Sequence, residues 1–180
     1  MDFLDFTGEE MYFNEPLAPD VEALLTDASQ RYGEESAELS LMRAYFLEPQ
    51  HLTVLVALYR YFYYRQRYRE ALITAERAIA IVAERLELPP RWEDLSESNL
   101  SAATQHSMTL TRFLLLALKG SAYLLMRLNE PEAALARFEK VAEVDTSDRL
   151  GINELLTMAR AAVAEAAAAQ AGDKVHYLKT

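Results

Sequence analysis

The chain has 180 residues, 51% apolar and 26% charged, a composition that suits one domain, most of it globular rather than disordered. A net charge of −10 repels phosphate backbones and anionic lipid, and the lack of cysteine excludes disulfides, thiolate metal sites and cysteine nucleophiles. Five glycines and six prolines accompany abundant Ala, Leu, Glu and Arg, and no alternating run ends in a strand turn, so the expected fold class is all-α.

Residues 1–18 read as an extended acidic and aromatic arm, with Phe3, Phe6, Tyr12 and Phe13 among Asp2, Asp5, Glu9 and Glu10. Pro16 and Pro19 end the arm, and a helix capped near Pro19-Asp20 is expected from Val21 to Tyr32, with Gly33 as its stop. A second helix runs from Glu34 to Leu47 and closes at Pro49. From Leu52 to Ala83 the pattern is a helical hairpin. Leu55, Leu58 and Phe62 share one face, Tyr68 crosses the turn, and Ala71, Ala75 and Ala78 stand between Leu72 and Ile79. Small residues at fixed intervals let two helices approach closely.

Pro89 and Pro90 open an insertion over about 86–101, a polar linker that carries Trp92, the single tryptophan. It offers either an anchor packed on the helices or a second contact surface. A long helix is then expected from Ala102 to Leu128, another from Pro131 to Val144, a turn over Asp145–Asp148, and a last helix from Arg149 to Ala171. Residues 172–180 read as a flexible tail. The most apolar stretch, Phe113–Leu128, is interrupted by Lys119 and Arg127 and is too short to span a bilayer. With no basic-flanked apolar leader at the start, a cytoplasmic protein without a membrane partner is expected.

The segments repeat. Ala71 and Ala78 follow Ala37 and Ala44 at an interval of 34 residues, the period of a helix–turn–helix stacking unit. Ala134 follows Ala71 at 63 residues, the excess falling on the insertion and a lengthened helix.

On these residues the chain resembles the tetratricopeptide repeat family over about residues 18–148. The central unit supplies Leu55, Leu58, Phe62, Tyr68, Ala71 and Ala78, but has Tyr59 at the small position and Ala83 in place of the proline. The first supplies Leu24, Ala37, Ala44 and Pro49; the third supplies Ala122, Leu125, Ala134 and Phe138, with Thr146 where proline is usual. The resemblance implies a solenoid of about three helical hairpins, with the last helix as a cap for its exposed end. The alanine face of that helix is equally suited to pairing with a second chain as a homodimer. The stretches Tyr12–Leu25, Leu47–Leu72 and Leu88–Leu95 are similar to small repeat proteins encoded among bacterial nitrogen-fixation genes, one group of which is described as associating with nitrogenase.

In such a solenoid the first helix of each unit lines a groove. The resemblance assigns Pro19, Glu22, Thr26, Ser29 and Gln30 to it from the first unit, and Thr53, Val56, Arg60, Tyr63 and Tyr64 from the second. The third contributes Leu116, Lys119, Tyr123, Met126 and Arg127. Arg60, Tyr63, Tyr64, Lys119, Tyr123, Met126 and Arg127 thus form the candidate partner-binding groove, a basic and aromatic surface suited to an acidic segment of another protein. For Tyr63 and Tyr64, display on the groove and burial in a core stand equally. Tyr61, on the other face from Arg60, is assigned to the core. Arg65, Arg67 and Arg69 are read as solvated, with Glu70 or Glu76 as partners. The arm matches the groove chemically and is a candidate occupant, in its own chain or a twin, with disorder the alternative.

Little chemistry is legible. His51, His106 and His176 lack a two-histidine helical spacing, and His51 is expected to be exposed. No Gly-rich phosphate loop or nucleophile elbow appears; Gly120 lies mid-helix, where it permits close packing. The pairs Glu9-Glu10 and Glu34-Glu35 diverge on a helix. The run from Tyr59 to Arg69 interleaves rings and bases as single-strand binders do, but it is short and sits in an acidic chain. The expectation is a protein-binding adaptor that is no enzyme, with no cofactor, metal or nucleic-acid partner. Its partner is a nitrogenase component or, as the alternative, an acidic peptide segment recognised by a general adaptor or co-chaperone; an enzyme ranks third.

Overall fold

The computed structural model describes residues 15–177, with side chains as far as Ala169. The arm's residues 1–14 and the end of the tail, 178–180, lie outside the described residues. Among the described residues the chain is all-helical, with no strand. The helices are α1 (Pro19–Gln30), α2 (Glu35–Leu47), α3 (Leu52–Tyr64), α4 (Tyr68–Arg85), α5 (Glu97–His106), α6 (Met108–Arg127), α7 (Pro131–Val144) and α8 (Ile152–Tyr177), with a 3-10 turn at Trp92–Asp94.

Sequential helices pack in pairs: α1 on α2, α3 on α4, α6 on α7. Between pairs, α2 meets α3, α4 meets α6, and α7 meets α8. The residues that recur in the sequence are those that vanish into these contacts. Ala37, Ala44, Ala71, Ala122, Ala134 and Phe138 are each 0% exposed. Methyl groups at these crossings leave the neighbouring ridge nowhere else to go, so a larger side chain would force the axes apart.

Tyr59 stands where the unit calls for a small side chain, and it is buried. Room for it comes from opposite, where Ala75 and Ala78 of α4 and Ala117 and Gly120 of α6 share the same hollow. Helix α6 packs chiefly on α4 and α7, and a hollow of about 10 Å³ is left between α3 and α6.

The turns of the pairs share one edge. The left-handed residues that reverse the chain after α3 and α6, Gln66 (φ 59°) and Asn129 (φ 61°), are 63 residues apart, the same interval as the alanines. In both turns a backbone N–H reaches back five residues, Arg67 to Phe62 and Glu130 to Leu125, closing the helix end. Arg65, Arg67 and Arg69, expected to be solvated with Glu70 or Glu76 as partners, tie this edge together. Arg65 donates to the carbonyl oxygens of Gly33 (2.9 Å) and Glu34 (3.4 Å); Arg67 pairs with Glu38 (2.7 Å) as well as Glu70 (2.9 Å); Arg69 pairs with Glu130 (2.6 Å). Glu76 belongs to Arg137 instead, at 2.5 Å.

Several boundaries differ from expectation for local reasons. The helix expected over 102–128 is two helices, because Ser107 is an N-cap with extended backbone whose hydroxyl accepts from Leu110 N–H. The inserted α5 has its own capping box, Ser96 with Asn99. Gly33 does not stop α1 in a left-handed conformation; α1 ends at Gln30, and it starts at Pro19 with Ala18 as an N-cap that makes no side-chain bond. Helix α8 continues through Tyr177, past the expected end at Ala171. His51 is buried: its Nδ1 accepts from Thr53 N–H and caps α3, while Nε2 donates to the Glu15 carbonyl oxygen at 3.3 Å. Helix α6 is long and apolar enough to cross a membrane by length and composition, and about half of its apolar window (56%) is buried inside this fold.

Trp92 anchors the insertion. The Arg137 guanidinium lies 5.2 Å from the centre of its ring while donating to Ser121 Oγ at 2.7 Å, and Lys140 donates to the Leu95 carbonyl oxygen at 3.2 Å. Leu95, Leu100 and Ala103 bury the same segment against α6 and α7.

Ala71→Leu should therefore destabilise the protein by about 1–3 kcal/mol through overpacking, read as a lower midpoint in urea at unchanged slope. Arg137→Ala should cost about 1–3 kcal/mol by removing its bonds to Ser121 and Glu76 and uncovering Trp92, with a blue-to-red shift of the tryptophan emission at denaturant concentrations below the main transition.

Candidate functional site

Helix α3 displays Arg60 and Tyr64 one turn apart, both exposed, with Tyr63 half-buried beside them. Helix α6 carries Lys119, Tyr123 and Arg127 at successive turns, so they form one stripe; Lys119, Tyr123 and Met126 are half-buried and Arg127 is exposed. Met126 packs against the core.

The two stripes meet at the shared turn edge. Tyr63 is hydrogen-bonded to Tyr123, and Tyr123 in turn to Arg127. The Arg127 guanidinium also lies 4.6 Å from the centre of the Tyr68 ring. Tyr63 stacks on Tyr59 (6.1 Å between centroids) and meets Tyr64 and Tyr68 edge-on at 5.5 and 6.1 Å. Tyr32, which follows α1, extends the row with edge contacts to Tyr64 (6.3 Å) and Tyr61 (5.7 Å). Tyr61 itself is core, as expected. A row of rings thus crosses from the first helix pair to the third, closed at one end by a guanidinium. Tyr63 and Tyr64 divide the open question between them: Tyr63 is half-buried in the cluster and Tyr64 is 52% exposed.

Lys119 takes a different place. Its ammonium donates to the Leu150 carbonyl oxygen, at the edge of a depression of about 600 Å³ whose lining also includes Arg112, Leu116, Asp145 and Arg149. Burial pulls the Lys119 pKa down, opposed by the carboxylates of Asp148 and Asp145. Arg112 and Arg149 were not singled out by periodicity, because Arg112 precedes the repeat unit and Arg149 follows the last turn. On α1 the expected positions Pro19, Glu22, Thr26 and Gln30 line a second depression of about 430 Å³, together with Asp27. The face built by the first helices is therefore acidic at α1, aromatic at α3 and basic at α6.

Burial is the main cause that raises the Tyr63 pKa from 10.0 to about 12, followed by the nearby Tyr123 hydroxyl and the hydrogen bond to it; Arg127 opposes the rise. The Arg127 pKa is raised above its ordinary value, chiefly by its hydrogen bond to Tyr123. Such a cluster offers ring faces, hydroxyls and a fixed positive charge, the groups that recognise polypeptide. No group of His, Asp and Glu among the described residues is arranged to hold a metal ion.

Because the folded protein holds the Tyr63 proton more tightly than the unfolded chain does, stability present below pH 10 should be lost as the pH rises through about 12. Tyr63→Phe removes that titration. The fall in melting temperature over this alkaline range should be shallower in the variant than in the parent, as followed by circular dichroism.

No family model and no solved structure matches the chain. A protein of Azotobacter chroococcum mcd 1 is 45% identical over 156 residues, which cover 87% of each chain. The chain belongs to the family of that relative, the "Uncharacterized 19.8 kDa protein in nifW 5'region".

Proposed function

We propose that the chain is a non-catalytic adaptor, a tetratricopeptide-like solenoid of about three hairpins closed by α8, that holds a segment of another protein on the face of its first helices. The carrying observation is the row Tyr32–Tyr64–Tyr63–Tyr123–Arg127, which crosses the boundaries between helix pairs. Aromatic rings and Arg supply most of the energy in protein interfaces, and a row that spans several units can follow an extended chain.

The relative's name places its gene beside nifW, which supports a role connected with nitrogen fixation. The reading is an accessory or maturation factor, cytoplasmic, that associates with a nitrogenase component and performs no reaction itself. A second reading, a general adaptor for acidic segments, draws on the depression in which Arg112, Lys119 and Arg149 outnumber Asp145 around apolar Leu116.

Affinity capture of the tagged full chain from nitrogen-fixing cells tests both. A nitrogenase component should be recovered, and Arg60→Ala combined with Tyr64→Ala should weaken its binding by about 1–2 kcal/mol per residue, since both side chains are exposed and outside the core. Recovery unaffected by these changes would remove the face from the reading. Recovery of proteins unrelated to nitrogenase through acidic segments would favour the general adaptor, and turnover by the purified protein would oppose both.

A further inference from the structure

The cleft between α2 and α4, about 280 Å³ in volume, has Leu55, Leu58 and Phe62 of α3 as its floor. Met42 and Tyr45 of α2 form one wall, and Ile73, Thr74 and Arg77 of α4 the other. On α2 the apolar surface runs on past the lining. Leu39 and Phe46 share a face with Met42 at helical spacing and are 64% and 80% exposed, and Ile73 opposite is 62% exposed. A contiguous apolar patch of this kind marks a surface that another segment covers. At the turn edge the charge of the cleft is balanced, because Arg67 is paired with Glu38 and Glu70. At the other end Arg77 is exposed and makes no ion pair among the described residues.

One segment of the chain is attached at the Arg77 end. Glu15 is pinned where the first two helix pairs meet: its carbonyl oxygen accepts from His51 Nε2 at 3.3 Å, and its carboxylate pairs with Arg85 at 2.8 Å. Arg85 also donates to the Gln50 carbonyl oxygen at 3.0 Å, and Ala18 N–H donates to Glu48 Oε1 at 3.3 Å, so the attachment joins the C-terminal ends of α2 and α4. Thr74, Arg77, Ile81 and Arg85 follow one another at successive turns on one face of α4. Residue 14 therefore leaves the fold about 12 Å along that face from Arg77, at 1.5 Å per residue. The far end of the cleft, at Glu70, lies about 10 Å further on. Fourteen residues extend to about 46 Å, roughly twice the whole path. Residues 1–14 hold Phe3, Phe6, Tyr12 and Phe13 with Asp2, Asp5, Glu9 and Glu10, and neither Lys nor Arg. An extended chain crosses the first 12 Å in about four residues, which brings Glu9 and Glu10 level with Arg77 and leaves Phe3 and Phe6 for the cleft beyond. The depression on α1 would repel these carboxylates, since Glu22 and Asp27 line it, and the one beside Lys119 belongs to the third pair.

We propose that residues 1–14 fold back over the α2–α4 cleft of their own chain, with ring side chains on Met42, Phe46 and Ile73 and with Glu9 or Glu10 beside Arg77. The segment then covers the outer face of the first two pairs and leaves the row from Tyr32 to Arg127 open. The docking needs no partner and does not rest on the adaptor reading.

The chain has no cysteine, so a nitroxide can be attached at one site, Thr7→Cys, in the otherwise intact protein. Amide signals of Met42, Phe46, Ile73 and Arg77 should lose intensity with the oxidised label relative to the reduced one, while those of Lys119 and Arg149 on the third pair keep theirs. Phe3→Ser with Phe6→Ser in the labelled chain should restore the lost signals. Arg77→Glu, a change at an exposed side chain that leaves the core alone, should restore them in part. Loss that is unchanged in either variant overturns the proposal. Loss centred on Lys119 and Tyr123 would put the segment on the face of the first helices, and loss spread over no one surface would leave it unseated; both overturn it as well. So does loss seen only when label and isotope are on different molecules, which would make the cleft a contact between copies.

Discussion

Close approach of helix axes at a handful of alanines is the constraint on which the rest of the molecule depends. Ala71 and Ala78 on α4, Ala122 on α6 and Ala134 on α7 are buried where neighbouring helices cross. Burial of the larger side chains around them, Leu52, Leu55, Phe113, Leu118 and Phe138, supplies the hydrophobic driving force, but only the small residues let those side chains interdigitate. The exception is informative. Tyr59 fills a position reserved for a small residue, and Gly120 and Ala117 give way on the opposite helix, so the bulk is moved and not removed. The hollow left between α3 and α6 is only about 10 Å³, so the exchange is nearly complete.

Much of this was legible in the sequence because periodic burial leaves a periodic mark. The hairpin Leu52–Ala83, the start at Pro131 and the end at Val144 all lie where the pattern of apolar and small residues puts them. What stayed hidden was set by single polar contacts that carry no periodicity. Ser107 splits one long apolar run into α5 and α6 by capping, and a hydroxyl in an apolar stretch is a weak signal on its own. His51 looked exposed beside Pro49, yet it is enclosed by the residues before α1, a contact across 36 positions that no local pattern shows.

The candidate site divided along the same line. Helical spacing alone puts Arg60 with Tyr64, and Lys119 with Tyr123 and Arg127. Spacing does not say which neighbour a long side chain will choose. Lys119 bends to the Leu150 carbonyl at the α7–α8 connection, whereas Arg127 settles on Tyr68 and Tyr123. Tyr32 joined the row from a loop, where the repeat assigns no groove position at all.

The manner in which the first helix pair is fastened sets its response to salt. Between α2 and α4 lies a cleft of about 280 Å³, and α2 leaves Leu39, Phe46 and Leu47 largely in solvent. Its narrow apolar seam with the second pair, where Ala37, Leu41 and Ala44 join the common core, is flanked by polar moorings at the two ends: Arg65 and Arg67 at one, Glu48, His51 and Glu15 at the other. Charged clasps loosen with added electrolyte, while apolar seams do not. Added salt therefore weakens the two ends of the attachment of residues 19–47 and leaves its apolar middle untouched.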